Sequence, residues 1–184
     1  MTLPAAERPD DASERLVALV GAAQRRDRAA FAELYAQFAR TVHGILLSRV
    51  PRADVDDLVQ DVFIQAMERI ESLRDPRAFA GWLSTIARNK AVDYFRHTPR
   101  TTELPDELPA ADRDQTEALA VMAIIRTLPE AYRETLTLRL VEGMTGPEIS
   151  ARTGLTEGSV RVNLHRGMKQ LRERLSAKSE RGVS

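Results

Sequence analysis

Near the C-terminus, Arg161, Val162, His165, Arg166 and Lys169 recur at a spacing that puts them on one side of a helix. Val160, Leu164, Gly167 and Leu171 fall in a narrow arc on the other side, at 3.6 residues per turn. A cationic outer face near a helix N-terminus suits phosphate contact. The Arg161 guanidinium matches the two acceptors of a guanine edge in the major groove. A solvated face on a surface helix would have the same composition, so the preceding residues matter. Thr145 and Glu148 stand at a capping-box spacing with Pro147 in the first turn, which predicts a short helix containing Ile149 and Ala151. Gly154 can supply the left-handed turn that ends it, and Thr156 can cap the next helix. Segment 144–175 therefore has the spacing of a helix-turn-helix.

A second basic set lies in 74–97, where Arg74, Arg77, Arg88, Lys90, Arg96 and His97 interleave with Phe79, Trp82, Tyr94 and Phe95. Cations beside aromatics suit single-stranded nucleic acid, although Phe79 and Trp82 at helical spacing equally suit a core. Lys90 falls near the apolar side, so its stem must snorkel or the helix must distort. A third set has the opposite charge. Val55, Val59, Val62 and Ala66 form an apolar stripe, leaving Asp57, Gln60, Asp61, Ile64 and Glu68 on the far face. The acids alone describe a solvated helix; Ile64 among them points to a basic partner with an apolar contact point.

Enzymatic chemistry finds little support. His43, His97 and His165 are far apart, and no HExxH, Gly-rich phosphate loop or GxSxG occurs. His43 is expected to be structural. The acids of DVDD lack the calcium-loop spacing and its turn glycine, so neither metal nor cofactor is expected.

These residues need helices to position them, and no segment alternates as a strand. The pattern predicts an all-α chain of two small helical domains joined by a flexible linker, the C-terminal one a helix-turn-helix. The expected boundaries are a disordered N-terminus at 1–12, about four helices in 13–97, and an acidic, proline-rich linker at 98–114. A second helical domain at 115–177 and a fraying basic tail at 178–184 complete the chain. The third helix should start near Pro51 or Ala53 and end around Leu73. The 27 Lys+Arg balance the 27 Asp+Glu, so overall charge is uninformative, but its distribution is not. Acids concentrate at 54–75 and 103–117, bases at 88–100 and 161–181. With no cysteine, no bilayer-spanning run and no signal-peptide pattern, a cytoplasmic protein without a disulfide or thiolate metal site is expected.

DVDDLVQDVF, FAGWLSTIARNKAVDYFRH, LPEAYRETLTLRLVEGMTGPEIS and TEGSVRVNLHRGMKQLRERL, in that order, resemble successive motifs of the sigma-70 family. The resemblance is to its small extracytoplasmic-function (ECF) group, which keeps two conserved domains, and it covers 27–175. It implies that the helix matching 54–70 docks on a clamp coiled coil of core RNA polymerase, with Asp57, Gln60, Asp61 and Ile64 as contacts. It further implies that 74–97 recognises and melts the −10 promoter element. Arg74, Arg77 and Phe79 would lie around a flipped base, and Arg88, Asn89 and Lys90 along the displaced strand. The helix-turn-helix would bind the −35 element through Ser159, Arg161, Val162, His165, Arg166 and Lys169, with Arg139 as a phosphate contact. Many relatives are held inactive by an anti-sigma factor wedged against both domains, and such a partner is expected here.

Two departures bear on sequence preference. Gly146-Pro147 stands where the family commonly has an aromatic and an acid, and Val162-Asn163 where it often has Ser-Arg. Val162 offers a base only an apolar contact, as to a thymine methyl, so a −35 sequence cannot be copied from relatives. The competing reading is a two-domain regulator that binds duplex operator as a dimer. Residues 13–97 show no α/β receiver pattern in its favour.

Overall fold

A computed structural model describes the backbone of 9–97 and 113–181, and the side chains of 11–97 and 120–177. Every regular element among these residues is helical. In order they are α1 (Pro9–Gln24), α2 (Arg28–Leu47), α3 (Val55–Arg69), α4 (Phe79–His97), α5 (Arg113–Arg126), α6 (Glu130–Leu140), α7 (Gly146–Thr153) and α8 (Glu157–Arg181). Short 3-10 turns at Arg52–Asp54 and Ile70–Ser72 flank α3, and one at Pro76–Ala78 leads into α4.

The N-terminal bundle, α1 to α4, closes over Leu34, Phe38, Ile45, Leu46, Val62, Phe79 and Leu83, each almost fully removed from water. Burial of such side chains is worth about 1.5–3 kcal/mol apiece, the main return against chain entropy. Asp27 starts α2 by accepting from the amides of Ala29 and Ala30 at 2.9 and 3.2 Å. The C-terminal bundle has two small cores. Ile125, Leu128, Leu136 and Leu171 join α5, α6 and α8, while Leu138, Ile149 and Val160 join α6 to the helix-turn-helix.

Three expected boundaries move. Helix α1 already begins at Pro9, inside the segment expected to be disordered. Pro fits the first helical position, where its missing N–H costs nothing. Helix α5 begins at Arg113, inside the expected linker, whose residues 98–112 lie outside the described ones, as do 1–8 and 182–184. Helix α8 continues to Arg181, because it contains no Pro and the helix-favouring Lys, Glu and Arg run on to Gly182.

The larger difference is that the bundles are not merely tethered. Helix α2 packs on α6, and α4 on α7. Two glycines make this approach possible. A Cβ on Gly44 would stand 2.7 Å from Cδ2 of Leu138 and 3.0 Å from Cγ of Glu142. A Cβ on Gly154 would stand 2.8 Å from the Gly81 Cα, so the turn of the helix-turn-helix rests directly on the α4 backbone. Met122 of α5 also packs against the N-terminal core.

Candidate nucleic-acid interface

The helix-turn-helix is built as its residues dictate. The Thr145 hydroxyl accepts from the Glu148 amide, and the Glu148 carboxylate accepts from the Thr145 amide at 2.7 Å, which completes the capping box. The Thr145 amide and the Thr145 hydroxyl both donate to the Glu148 carboxylate and hold it below its usual range, the backbone bond contributing most. Gly154 ends α7 at φ 75°, a left-handed position that favours glycine. The Thr156 hydroxyl then accepts from the Ser159 amide at 3.1 Å and so caps α8.

On α8, Val160, Gly167 and Leu171 are buried and Leu164 is partly buried; Arg161, Val162, His165, Arg166 and Lys169 are all exposed on the other side. Val162 is 43% exposed and gives this basic face one apolar contact point. Ser159 is exposed and its hydroxyl accepts from Thr156, so it acts in the cap as well as standing at the surface. Arg139 is exposed beside the turn and donates to the Met144 carbonyl at 3.1 Å, an anchor that limits its swing.

The acidic face of α3 is present as expected, with Asp57, Gln60, Asp61 and Ile64 all exposed. Ile64 is 53% exposed and Met67, three residues on and not among the expected contacts, is 55% exposed, so the apolar point is a pair.

The 74–97 segment differs more. Arg74, Arg77 and Asn89 are exposed as expected. Phe79 is not available to a base. It is fully buried and meets Phe38 edge to face at 5.2 Å, so the expectation that it contacts DNA is corrected: it supports the start of α4 from beneath. Lys90 snorkels past the apolar side of α4, and its Nζ reaches the Asp61 carboxylate at 2.8 Å. One ion pair therefore joins the acidic face of α3 to the basic side of α4.

Arg88, its side chain 28% exposed, is likewise already engaged. Its guanidinium grips Glu134 of α6 with two bonds, Nη2 at 2.7 Å and Nε at 3.1 Å, and Arg49 of α2 reaches the same carboxylate at 2.8 Å. The Glu134 side chain is 5% exposed and that of Arg49 only 7%. Burial pushes the Glu134 carboxyl up, but hydrogen bonds from Arg88 and the charges of Arg49 and Arg88 outweigh it and hold the carboxyl below its usual range. Hydrogen bonding to Glu134 correspondingly raises Arg88. Arg49 also meets Glu130 at 2.5 Å.

A second cluster closes the other end of the junction. His43 Nδ1 lies 2.7 Å from Glu142, whose carboxylate also receives Arg40 at 3.4 Å; Arg40 donates to the Glu142 carbonyl as well. The Glu142 hydrogen bond is the main cause that raises His43, partly opposed by burial, with the charges of Glu142 and Asp56 adding and Arg52 subtracting. Between the clusters, Arg152 of α7 lies over the Phe38 ring at 4.9 Å and donates to the Gln37 carbonyl, and Ser84 donates to the Arg152 carbonyl at 3.3 Å.

None of Arg49, Glu134, Glu142 or Arg40 was singled out by the motifs. One signal existed for Glu134: it stands four residues before buried Leu138, so a carboxylate occupies the buried stripe of α6 and needs a cation from elsewhere. Among the described residues, no cluster of His, Asp or Glu could hold a metal ion, and no helix is long and apolar enough to cross a membrane.

Comparison with known proteins adds to this geometry. A family model for sigma-70 region 2 matches residues 34–101, and one for sigma-70 region 4 matches 118–171. The chain is 33% identical over 180 residues to the ECF RNA polymerase sigma factor RpoE of Cereibacter sphaeroides, covering 90% of this chain and 99% of that one. It is 32% identical over 175 residues to the ECF RNA polymerase sigma factor BldN of Streptomyces coelicolor, of which it spans 66%. Among solved structures, CnrH in complex with the cytosolic domain of CnrY matches with a TM-score of 0.63 at 27% identity, covering 89% of this chain and 98% of that one.

Proposed function

The chain belongs to the ECF group of the sigma-70 family, and from that premise we propose how its surfaces divide the work of transcription initiation. As a sigma factor it binds core RNA polymerase and directs initiation at specific promoters. Asp57, Gln60, Asp61, Ile64 and Met67 on α3 dock on the polymerase, where carboxylates steer a basic partner and the apolar pair loses water on contact. Arg161, Val162, His165, Arg166 and Lys169 enter the −35 major groove, with Arg139 and Ser159 at its edge. Arg74, Arg77, Arg88, Asn89 and Lys90 track the melted −10 strand, as phosphate contacts rather than stacking platforms now that Phe79 lies in the core. The role is non-enzymatic, needs no cofactor and is exercised in the cytoplasm.

The observation that carries this reading is one chain presenting both a capped recognition helix with an exposed basic face and a separate acidic-apolar helix face. An operator-binding regulator has use only for the first. CnrH is in complex with the cytosolic domain of CnrY, which supports a protein partner for this chain too, and the resemblance to the ECF group makes an anti-sigma factor the expected one. Pull-down of core polymerase by the purified chain, followed by run-off transcription, tests the assignment. Specific promoter binding as a dimer without polymerase would overturn it.

A further inference from the structure

The turn between α1 and α2 is strained, basic and unused by the functions assigned so far. Helix α1 ends in a pair of backbone bonds, Arg26 to the Ala23 carbonyl at 2.9 Å and Asp27 to the Ala22 carbonyl at 3.2 Å, that forces the residue after the cap into the left-handed region. Glycine is the default there, yet the chain has Arg26 at φ 68°, the only non-glycine residue at positive φ among the described residues. Arg25 and Arg28 stand on either side of it, and all three are exposed. A strained residue held in place by its surroundings is a pointer to function.

What the turn lies against says which function. Gln24, the last residue of α1, donates from Nε2 to the carbonyls of Ile70 at 3.0 Å and Leu73 at 2.7 Å, which uses both of its amide hydrogens. Arg25 thus follows directly on a residue bound to Leu73, and Leu73 directly precedes Arg74. The short turn Pro76–Ala78, which contains Arg77, also packs on α1. The α1–α2 turn and segment 69–77 therefore form one face.

The charge of that face is positive. It gathers Arg25, Arg26, Arg28, Arg69, Arg74 and Arg77, all exposed, against the carboxylates of Asp27, Glu71 and Asp75. Each carboxylate already accepts from a donor of the chain: Asp27 from the Ala29 and Ala30 amides, Asp75 from the Arg77 amide at 3.0 Å, and Glu71 from Arg26 Nε at 2.9 Å. The acids that dominate 54–75 in the sequence are thus outweighed here by cations brought from α1 and α2. Exposed guanidiniums in excess over engaged carboxylates suit a backbone of phosphates.

We propose that the α1–α2 turn is a second nucleic-acid contact, in which Arg25 and Arg28 hold phosphates of the same single strand that passes Arg74 and Arg77. Gln24 keeps the two sets in register, and Arg26 neutralises Glu71 between them. The proposal rests on the reading that the melted strand runs along 74–97.

The test uses the full-length chain and a short, mixed-sequence, single-stranded DNA, with binding read by fluorescence anisotropy over a salt series. Each phosphate neutralised on a single strand adds about 0.7 to the slope of log affinity against log salt, so Arg25→Ala with Arg28→Ala should lower the slope by about 1.4 and weaken binding at low salt on the order of tenfold. Arg25→Lys with Arg28→Lys should keep the slope, a rescue that a bystander turn would not need. In the parent, phenylglyoxal should modify Arg25 and Arg28 less in the DNA complex than in the free chain, read by mass spectrometry, which a loss of bulk charge cannot imitate. An unchanged slope in the double alanine variant, or undiminished modification of both arginines in the complex, would overturn the proposal. Arg74→Ala with Arg77→Ala separates it from the reading beneath it. A slope lowered by that pair and not by the turn pair removes the turn contact and leaves the loop assignment standing, whereas a slope lowered by neither pair removes both.

Discussion

A double-mutant cycle on Arg88→Met and Glu134→Gln measures whether the pair forms in solution. Both side chains lie mainly out of water, at 28% and 5% exposure, and they meet through two charge-assisted bonds of 2.7 and 3.1 Å. Charge-assisted hydrogen bonds contribute about 1.5–3 kcal/mol each, but Arg88 keeps some solvent, so the coupling should be about 1.5–3 kcal/mol in all rather than twice that. The single variants should be unequal. Arg88→Met leaves Glu134 with Arg49 as a partner, whereas Glu134→Gln leaves Arg88 facing a neutral amide and Arg49 with only the exposed Glu130. Breaking a buried pair can cost about 3–5 kcal/mol, yet here the stranded cations can rehydrate by opening of the junction, which caps the loss at the free energy of closing. Trp82, the single tryptophan, packs 5.8 Å from Phe79 in the N-terminal bundle and reports urea unfolding by fluorescence. A coupling near zero, with equal single-variant effects, would refute the closed pair and the reasoning built on it.

Arg161→Ala should cost on the order of 1–3 kcal/mol in polymerase-dependent promoter binding and relax preference at one −35 base pair, read by gel shift against a panel of single-base variants. Asp61→Asn should weaken binding to core polymerase in a fluorescence titration while strengthening single-stranded DNA binding, because it frees Lys90; a fall in both would show that the ion pair is only structural. The closed state should depend on pH through His43. Closing raises its pKa above the ordinary value near 6.5, so the His43–Glu142 contribution is complete below that value and is lost as pH rises through the raised one. The distance between spin labels at Arg69→Cys on α3 and Glu173→Cys on α8 should therefore broaden from mildly acidic to alkaline pH, and His43→Gln should flatten that dependence.

The local rules were legible in the residues themselves. Thr145, Glu148, Gly154 and Thr156 act on backbone groups three or four positions away, so their types and spacing determined where α7 and α8 begin and where α7 ends. Helical periodicity likewise placed Val160 and Leu171 inward and Arg161 and His165 outward, and set Ile64 apart on the exposed face of α3. The choice between stacking and burial for Phe79 was not legible, since an aromatic at core spacing suits both, and only Phe38 of α2 beside it decides. Nor could spacing show that Lys90 reaches Asp61, that Arg88 is held by Glu134, or that His43 has Glu142 as its partner. Those partners lie on other helices, up to a hundred residues away in the chain, and a charged side chain has no pattern that names its counterion. The sequence by itself thus determined the helices and the faces they offer. Tertiary structure decided which faces remain free, because covering them depends on two bundles approaching closely enough at Gly44 and Gly154 for buried carboxylates to find their cations.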